Sequence, residues 1–254
     1  MNKNRFFQKY KNIIFTVIGI GLVFLIWWIL SLIVSYNLFP NPGETFISFG
    51  ELFITVRLWE AIGSSLLRLL IALLICFIFS MVLGIFSGLI DPLYRILKPL
   101  VITLRTLPVA AIMFALIVFL KPNYSLFIIS NLMMFPLMYE AIVSAVRNID
   151  QGIYDSIKLD NSLVHPRSIT KVIIPSAKEG IILGIVQSMG LGMKVMIMAE
   201  ALIGSNATKG IGNLIYNYYI DLQMSYVFAL ALYAIILIGI MDIIVNIIKK
   251  KINN

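Results

Sequence analysis

The chain has one cysteine, Cys76, and one histidine, His165. A single cysteine closes no intrachain disulfide, and neither residue has a partner at metal-ligand spacing, so thiol–disulfide and zinc-type chemistry are argued against. Charge is scarce too: Asp, Glu, Lys and Arg make up 13% of the 254 residues. The phosphate-binding pattern Gly-x4-Gly-Lys-Ser/Thr is absent, and the nearest run, Gly204 to Gly212, has the wrong spacing. His-Glu-x-x-His, Gly-x-Ser-x-Gly and Cys-x-x-Cys are absent as well. Asp155 and Asp160 flank Lys158 in a polar stretch and read as solvated charges rather than paired catalytic carboxylates. Internal repeats, low-complexity tracts and a soluble domain are also missing. The chain is not expected to be an enzyme, to hold a metal, or to use ATP by itself.

What is present is apolar. Hydrophobic residues are 60% of the chain and mean hydropathy is +0.98, outside the range of soluble domains. Crossing a bilayer takes about 20 apolar residues. Six stretches qualify, at residues 12–34, 66–89, 100–120, 124–146, 180–202 and 226–248. The first follows Lys3, Arg5, Lys9 and Lys11, but its core is too long for a signal peptide and Ser35 to Pro40 is a poor cleavage site. It reads as a retained helix. Lys and Arg number fourteen in the N-terminal tail, the 90–98 and 147–179 loops and the C-terminus, against three in the other loops. That asymmetry places both termini in the cytoplasm. It also accounts for the net charge of +8, so no nucleic-acid partner is expected.

Residues 41–65 open with Asn41-Pro42-Gly43 and suit a short helix at the outer interface. Pro108, Pro136 and Pro175 border or interrupt helices. The fifth apolar stretch is unusual, with Gly190, Gly192, four methionines, Lys194 and Glu200 between residues 189 and 200. A charge at mid-membrane costs at least ~2.5 kcal/mol and should face protein or water. Lys194 and Glu200 lie about 240° apart around a helix and so need separate partners. Arg68 matches the depth of Glu200, whereas Arg105 lies nearer the cytoplasm. Two readings stand: Arg68 and Glu200 form a buried bridge, or one or more of Arg68, Arg105, Lys194 and Glu200 lines a solute route.

Between the fourth and fifth stretches, nine of the 33 residues from Arg147 to Glu179 are charged, whereas Gly180 to Met193 carry none. A large polar loop on one side of a polytopic protein suits a partner in the aqueous phase. We read 147–179 as the docking element of a transport subunit whose engine is another protein.

The order of several short motifs resembles a known family. Leu38-Phe39-Pro40-Asn41-Pro42, Ser64-Ser65-Leu66-Leu67-Arg68, Leu100 to Ala111 around Arg105-Thr106-Leu107-Pro108, and Lys194 to Glu200 followed by Lys209-Gly210-Ile211-Gly212 are similar to signatures of type I ABC importer permeases. Within these the chain resembles the nitrate/sulfonate/taurine branch of the binding-protein-dependent transport family, over nearly its whole length. The family's loop signature, Glu-Ala-Ala-x3-Gly-x9-Ile-x-Leu-Pro, ends clearly at Val172-Ile173-Ile174-Pro175. Its start is degraded. Without gaps, Ser156-Ile157-Lys158 stand at Glu-Ala-Ala and Ser162 at Gly. One inserted residue gives Asp155-Ser156-Ile157 and Asn161, the preferred register because Asp mimics Glu and Asn tolerates the left-handed turn.

The resemblance implies an all-α integral membrane fold: one six-helix permease domain over 1–254, with both termini inside. It implies a coupling helix near Asp150–Asn161, with Asp150 and Asp155 at its dipole-favoured start, seated on a cytoplasmic ATPase that binds ATP and Mg. This chain would hold no cofactor itself. A second permease (a copy or a paralogue) and an extracytoplasmic binding protein complete the expected assembly in the cell membrane. The solute would be a nitrate-, sulfonate- or taurine-like anion, or a vitamin-like compound. The alternatives are the transmembrane coupling subunit of an energy-coupling-factor vitamin transporter, or an ATP-independent carrier. Against the carrier, no repeat-related pair of broken helices is evident.

Overall fold

Asn41 starts the first short helix by a reciprocal cap: its Oδ1 accepts the Glu44 N–H at 2.9 Å and its Nδ2 donates to Glu44 Oε1 at 2.8 Å, with Pro42 at the first helical position. Such local signals set a chain that is helical throughout. The computed structural model describes residues 3–34, 38–160, 163–204 and 208–252, and no strand occurs among them. In order the helices are α1 (Lys3–Ile33), α2 (Pro42–Phe53), α3 (Val56–Leu89), α4 (Asp91–Thr106), α5 (Val109–Phe119), α6 (Pro122–Arg147), α7 (Gln151–Asp160), α8 (Pro166–Ser168), α9 (Ile174–Ser176), α10 (Lys178–Ile203), α11 (Ile211–Ile220) and α12 (Met224–Ile252). A π-helical stretch, Ile169–Ile173, joins α8 to α9. Five helices are long and apolar enough to cross a membrane, or six if α4 and α5 form one broken span.

That break revises the third apolar stretch, read as one helix over 100–120. α4 and α5 meet at 93°. Pro108 drives Leu107 out of the helical region, to φ −67° and ψ 133°, so α4 stops at Thr106. The helical start near residue 66 also moves. α3 begins at Val56, ten residues earlier, and residues 41–65 split between α2 and the first turns of α3. Arg57 and Glu60 depress local hydropathy there, but a charge does not end a helix.

α6 is the centre of the bundle, between α3 and α10. Small residues admit both neighbours. A Cβ on Gly84 or Gly88 of α3 would enter the side chains of Ile142 or Val146, and one on Gly180 or Gly184 of α10 would press on Ala145 or Ala141. Two Gly-x3-Gly faces thus clamp one helix, the close approach by which membrane helices gain dispersion contact. Leu69, Ala72, Met134, Met138, Ile142, Met193 and Met196 fill the buried seam. Cys76 lies in it, with only a 3.8 Å contact to Ser80 Oγ. A second cluster at the end opposite the 147–179 segment joins α2, α3, α11 and α12, where Phe49 stacks on Tyr233 at 4.0 Å. α1 is peripheral. Trp27 ties it to this end through a 3.1 Å bond to the Pro40 carbonyl and a ring contact with Phe228.

Candidate functional site

Four groups of polar side chains stand out against this apolar frame. At the end opposite the 147–179 segment, Glu200 is fully buried on α10. Its carboxylate accepts from the Arg68 guanidinium of α3, from Ser65 Oγ at 2.7 and 2.9 Å, and from the Gly212 N–H at 3.1 Å. Ser65 Oγ in turn accepts the Ile211 N–H at 3.0 Å, and Arg68 donates to the Lys209 carbonyl. The network therefore ties α3, α10 and the start of α11 together. Gly210 and Gly212 allow it: a Cβ on Gly210 would strike the Glu200 carboxylate, and one on Gly212 would strike the Ile197 carbonyl.

Arg105, the second intramembrane cation singled out above, pairs with Glu140 of α6 at 2.7 Å, with the Arg105 side chain exposed and that of Glu140 partly so. Glu140 was missed from sequence, although a carboxylate within the 124–146 apolar stretch was itself a signal. Arg105 does not approach the Arg68–Glu200 network. Lys194 differs from both. It faces outward from α10 and makes no ion pair among the described residues. One helical turn away, Asp242 of α12 brings Oδ1 within 3.4 Å of where a Gly190 Cβ would sit. Asp242, also exposed and missed from sequence, puts a carboxylate on the same open face.

The polar segment forms its own small structure. Asp150 caps α7: its Oδ1 accepts the Gly152 N–H at 2.8 Å and its carbonyl accepts the Tyr154 N–H at 3.1 Å. Asp155, Ser156 and Lys158 are exposed on α7, and Leu159 is 91% exposed. Ile157 points the other way. It is 7% exposed and packs in the cluster that contains Val146, Ile173 and Ile181. It anchors the helix to the bundle rather than presenting a surface. Burial also raises the Tyr154 phenol above its ordinary pKa, which keeps this side chain neutral. Asn161 and Ser162 lie outside the described residues. Pro175, lacking an N–H, follows the π-helical stretch, where the Ile174 N–H reaches back to the Ile169 carbonyl. The widened turn relieves the clash of its ring with the preceding turn. Arg147 closes the segment's base, 2.6 Å from Asp91 Oδ1 and stacked 3.9 Å above the Tyr94 ring.

A broken-helix bundle with one polar, helical excursion can be compared with known proteins. Residues 80–254 match the family described as binding-protein-dependent transport system inner membrane component. The chain belongs to that family. This permease is 26% identical over 221 residues to an aliphatic sulfonates transport permease protein of Bacillus subtilis strain 168, covering 86% of this chain and 78% of the relative. It is 23% identical over 212 residues to the taurine transport system permease protein of Escherichia coli K12, covering 80% and 75%. Among solved structures, the fold resembles an inward-facing methionine ABC transporter with TM-score 0.65 at 16% identity, over 76% of this chain and 95% of that one. It also resembles a bacterial alginate ABC transporter, solved with a periplasmic protein carrying an alginate pentasaccharide, with TM-score 0.66 at 16% identity over 98% and 96%. The protein is thus a multi-pass inner-membrane permease subunit of an ABC importer and not an enzyme. Its family has no cofactor of its own.

Proposed function

We propose that this permease carries a small organic anion of the sulfonate class inward, driven through α7 by a cytoplasmic ATPase that binds ATP and Mg. The observation that carries the coupling role is the two-sided character of α7, with Ile157 buried against the bundle and Leu159 almost wholly exposed. An element fastened on one face and open on the other suits transmission of a push. Asp150, Asp155, Ser156 and Lys158 would meet the ATPase groove, and Pro175 would end the loop. Asn161 and Ser162 keep their place in this element by sequence order alone.

The excess of Lys and Arg at the α7 end supports a topology with both termini in the cytoplasm. Arg68 and Glu200 are then a lock at the outer end, holding α3, α10 and α11 in one unit. Lys194 is the better candidate for the solute route, since it faces out of the bundle, where a second permease would pack. Arg105, neutralised by Glu140, suits a structural tie. An extracytoplasmic binding protein would deliver solute to the outer end around α2 and α11. The sulfonate and taurine permeases among the relatives favour an anion over a vitamin-like compound, and Lys194 supplies the charge for it.

The test is a mild-detergent pulldown of the tagged permease from its native membrane, with mass spectrometry. Co-purification of a Walker-A ATPase and an extracytoplasmic binding protein that takes up a sulfonate is the expected result. An ATPase accompanied by a small membrane-embedded binder would instead favour the coupling-factor alternative, and a well-behaved complex without an ATPase would refute the reading.

A further inference from the structure

Between α4 and α6, near the end that carries the 147–179 segment, lies an open cavity of about 380 Å³ that no part of the transport mechanism uses. Tyr94, Lys98 and Ile102 line one wall, and Tyr139, Ser144 and Arg147 the other. We infer that this cavity binds the headgroup of an anionic phospholipid. The charge balance is the first reason. Glu140 is offset by Arg105 at 2.7 Å and Asp91 by Arg147 at 2.6 Å, while Lys98 has no carboxylate within ion-pair distance among the described residues. The wall therefore carries one surplus positive charge, which a phosphodiester monoanion neutralises.

The second reason is unused hydrogen-bonding capacity. Ser144 Oγ accepts from Asn148 Nδ2 at 3.3 Å and retains its own proton to donate. Arg147 uses one terminal nitrogen for both Asp91 Oδ1 and the Ser87 carbonyl, which leaves its remaining N–H groups.

Depth and surroundings select a lipid over a free anion. Arg147 is the last residue of α6, and Glu140 sits seven residues earlier, about 10 Å along the axis. The cavity therefore lies within about two turns of the polar end of α6, the level at which headgroups would meet it. Beside the cavity, Ile96, Leu100 and Ile102 of α4 are exposed and offer an apolar track for acyl chains. Basic pockets between membrane helices commonly take anionic headgroups, and Tyr94 supplies an amphipathic ring of the kind favoured at that level. The inference does not depend on which leaflet the cavity faces.

The test uses the intact detergent-purified complex, delipidated and titrated with phosphatidylglycerol or phosphatidylcholine, with bound lipid counted by native mass spectrometry. Phosphatidylglycerol should bind preferentially. Lys98→Gln should weaken it about fivefold, the factor expected from the loss of one lysine at an anionic surface. Arg95→Gln, three residues away on α4 and outside the cavity, should leave it unchanged. Equal binding of both lipids, or equal losses from Lys98→Gln and Arg95→Gln, would overturn the site. Displacement of phosphatidylglycerol by inorganic phosphate would reassign the cavity to a free anion and refute the lipid.

Discussion

Replacing Arg68 with leucine tests whether the outer network is a lock. Glu200 is fully buried, and Arg68 is 14% exposed. Removing the guanidinium leaves a carboxylate served, among the described residues, only by the neutral donors Ser65 and Gly212. Neutral hydrogen bonds between membrane helices average about 0.6 kcal/mol, whereas breaking a buried ion pair costs about 3 to 5 kcal/mol because an uncompensated charge stays behind. The second value governs here, since Glu200 has no path to water. A loss of that size is a large share of the 5 to 15 kcal/mol by which a typical domain is stable. Glu200→Gln should cost less, because Arg68 can turn partly to solvent. Combining the two removes the charge mismatch, so the double variant should be about 1 to 3 kcal/mol more stable than the sum of the single losses predicts. It will not match the native protein, because the Lys209 carbonyl loses its donor. Unfolding of the purified permease in mixed micelles, followed by tryptophan fluorescence, gives all four corners of the cycle. Strict additivity, or an Arg68→Leu loss no larger than that of a neutral bond, would refute the lock.

Leu159→Glu should abolish capture of the ATPase in pulldown while changing permease stability by less than about 0.5 kcal/mol, since this side chain touches solvent. Ile157→Ala should do the reverse first, lowering stability by about 2 to 4 kcal/mol through loss of a buried anchor; normal stability in that variant would show that α7 is not fastened there. Lys194→Gln should leave thermal unfolding of the purified protein unchanged, because no ion pair among the described residues is lost, yet slow uptake of a sulfonate into proteoliposomes containing the complete importer. Native uptake rates in Lys194→Gln would remove this residue from the route.

The helical plan was legible because membrane spans write themselves as long apolar runs, and the depth of Arg68 against Glu200 was readable by counting residues along two such runs. The broken third span was only half legible. Pro108 marked the place, but the 93° bend depends on how α5 packs on α6, where the Ser125 hydroxyl takes the Leu116 carbonyl at 3.2 Å. The orientation of α7 was not legible at all. In a ten-residue helix with Asp155, Ile157, Lys158 and Leu159 in near succession, only the position of the bundle decides that Ile157 turns in and Leu159 out. Glu140 and Asp242 were passed over for a related reason. Each is a single carboxylate in an apolar run, and neither acquires meaning until Arg105 or Gly190 is seen beside it.

The unequal packing of the bundle bears on how a push at α7 would travel. Gly84 and Gly88 press α3 on α6, and Gly180 and Gly184 press α10 on the same helix. Close-packed interiors shift as bodies rather than deform smoothly. Ile157 belongs to the same buried cluster as Val146 of α6, Ile173 of the π-helical stretch and Ile181 of α10. A displacement of α7 would therefore move α6 and α10 together, and the Arg68–Glu200 network would carry α3 and the start of α11 with them at the far end. α4 and α5 are held differently. Ion pairs fasten α4 at Asp91 and Arg105, α5 leans on α6, and the extended Leu107-Pro108 joint lies between them. The rigid block and the jointed pair meet along α6, so relative motion would be cheapest at Pro108. The joint would then lie in a span that the hydropathy of the sequence presents as continuous.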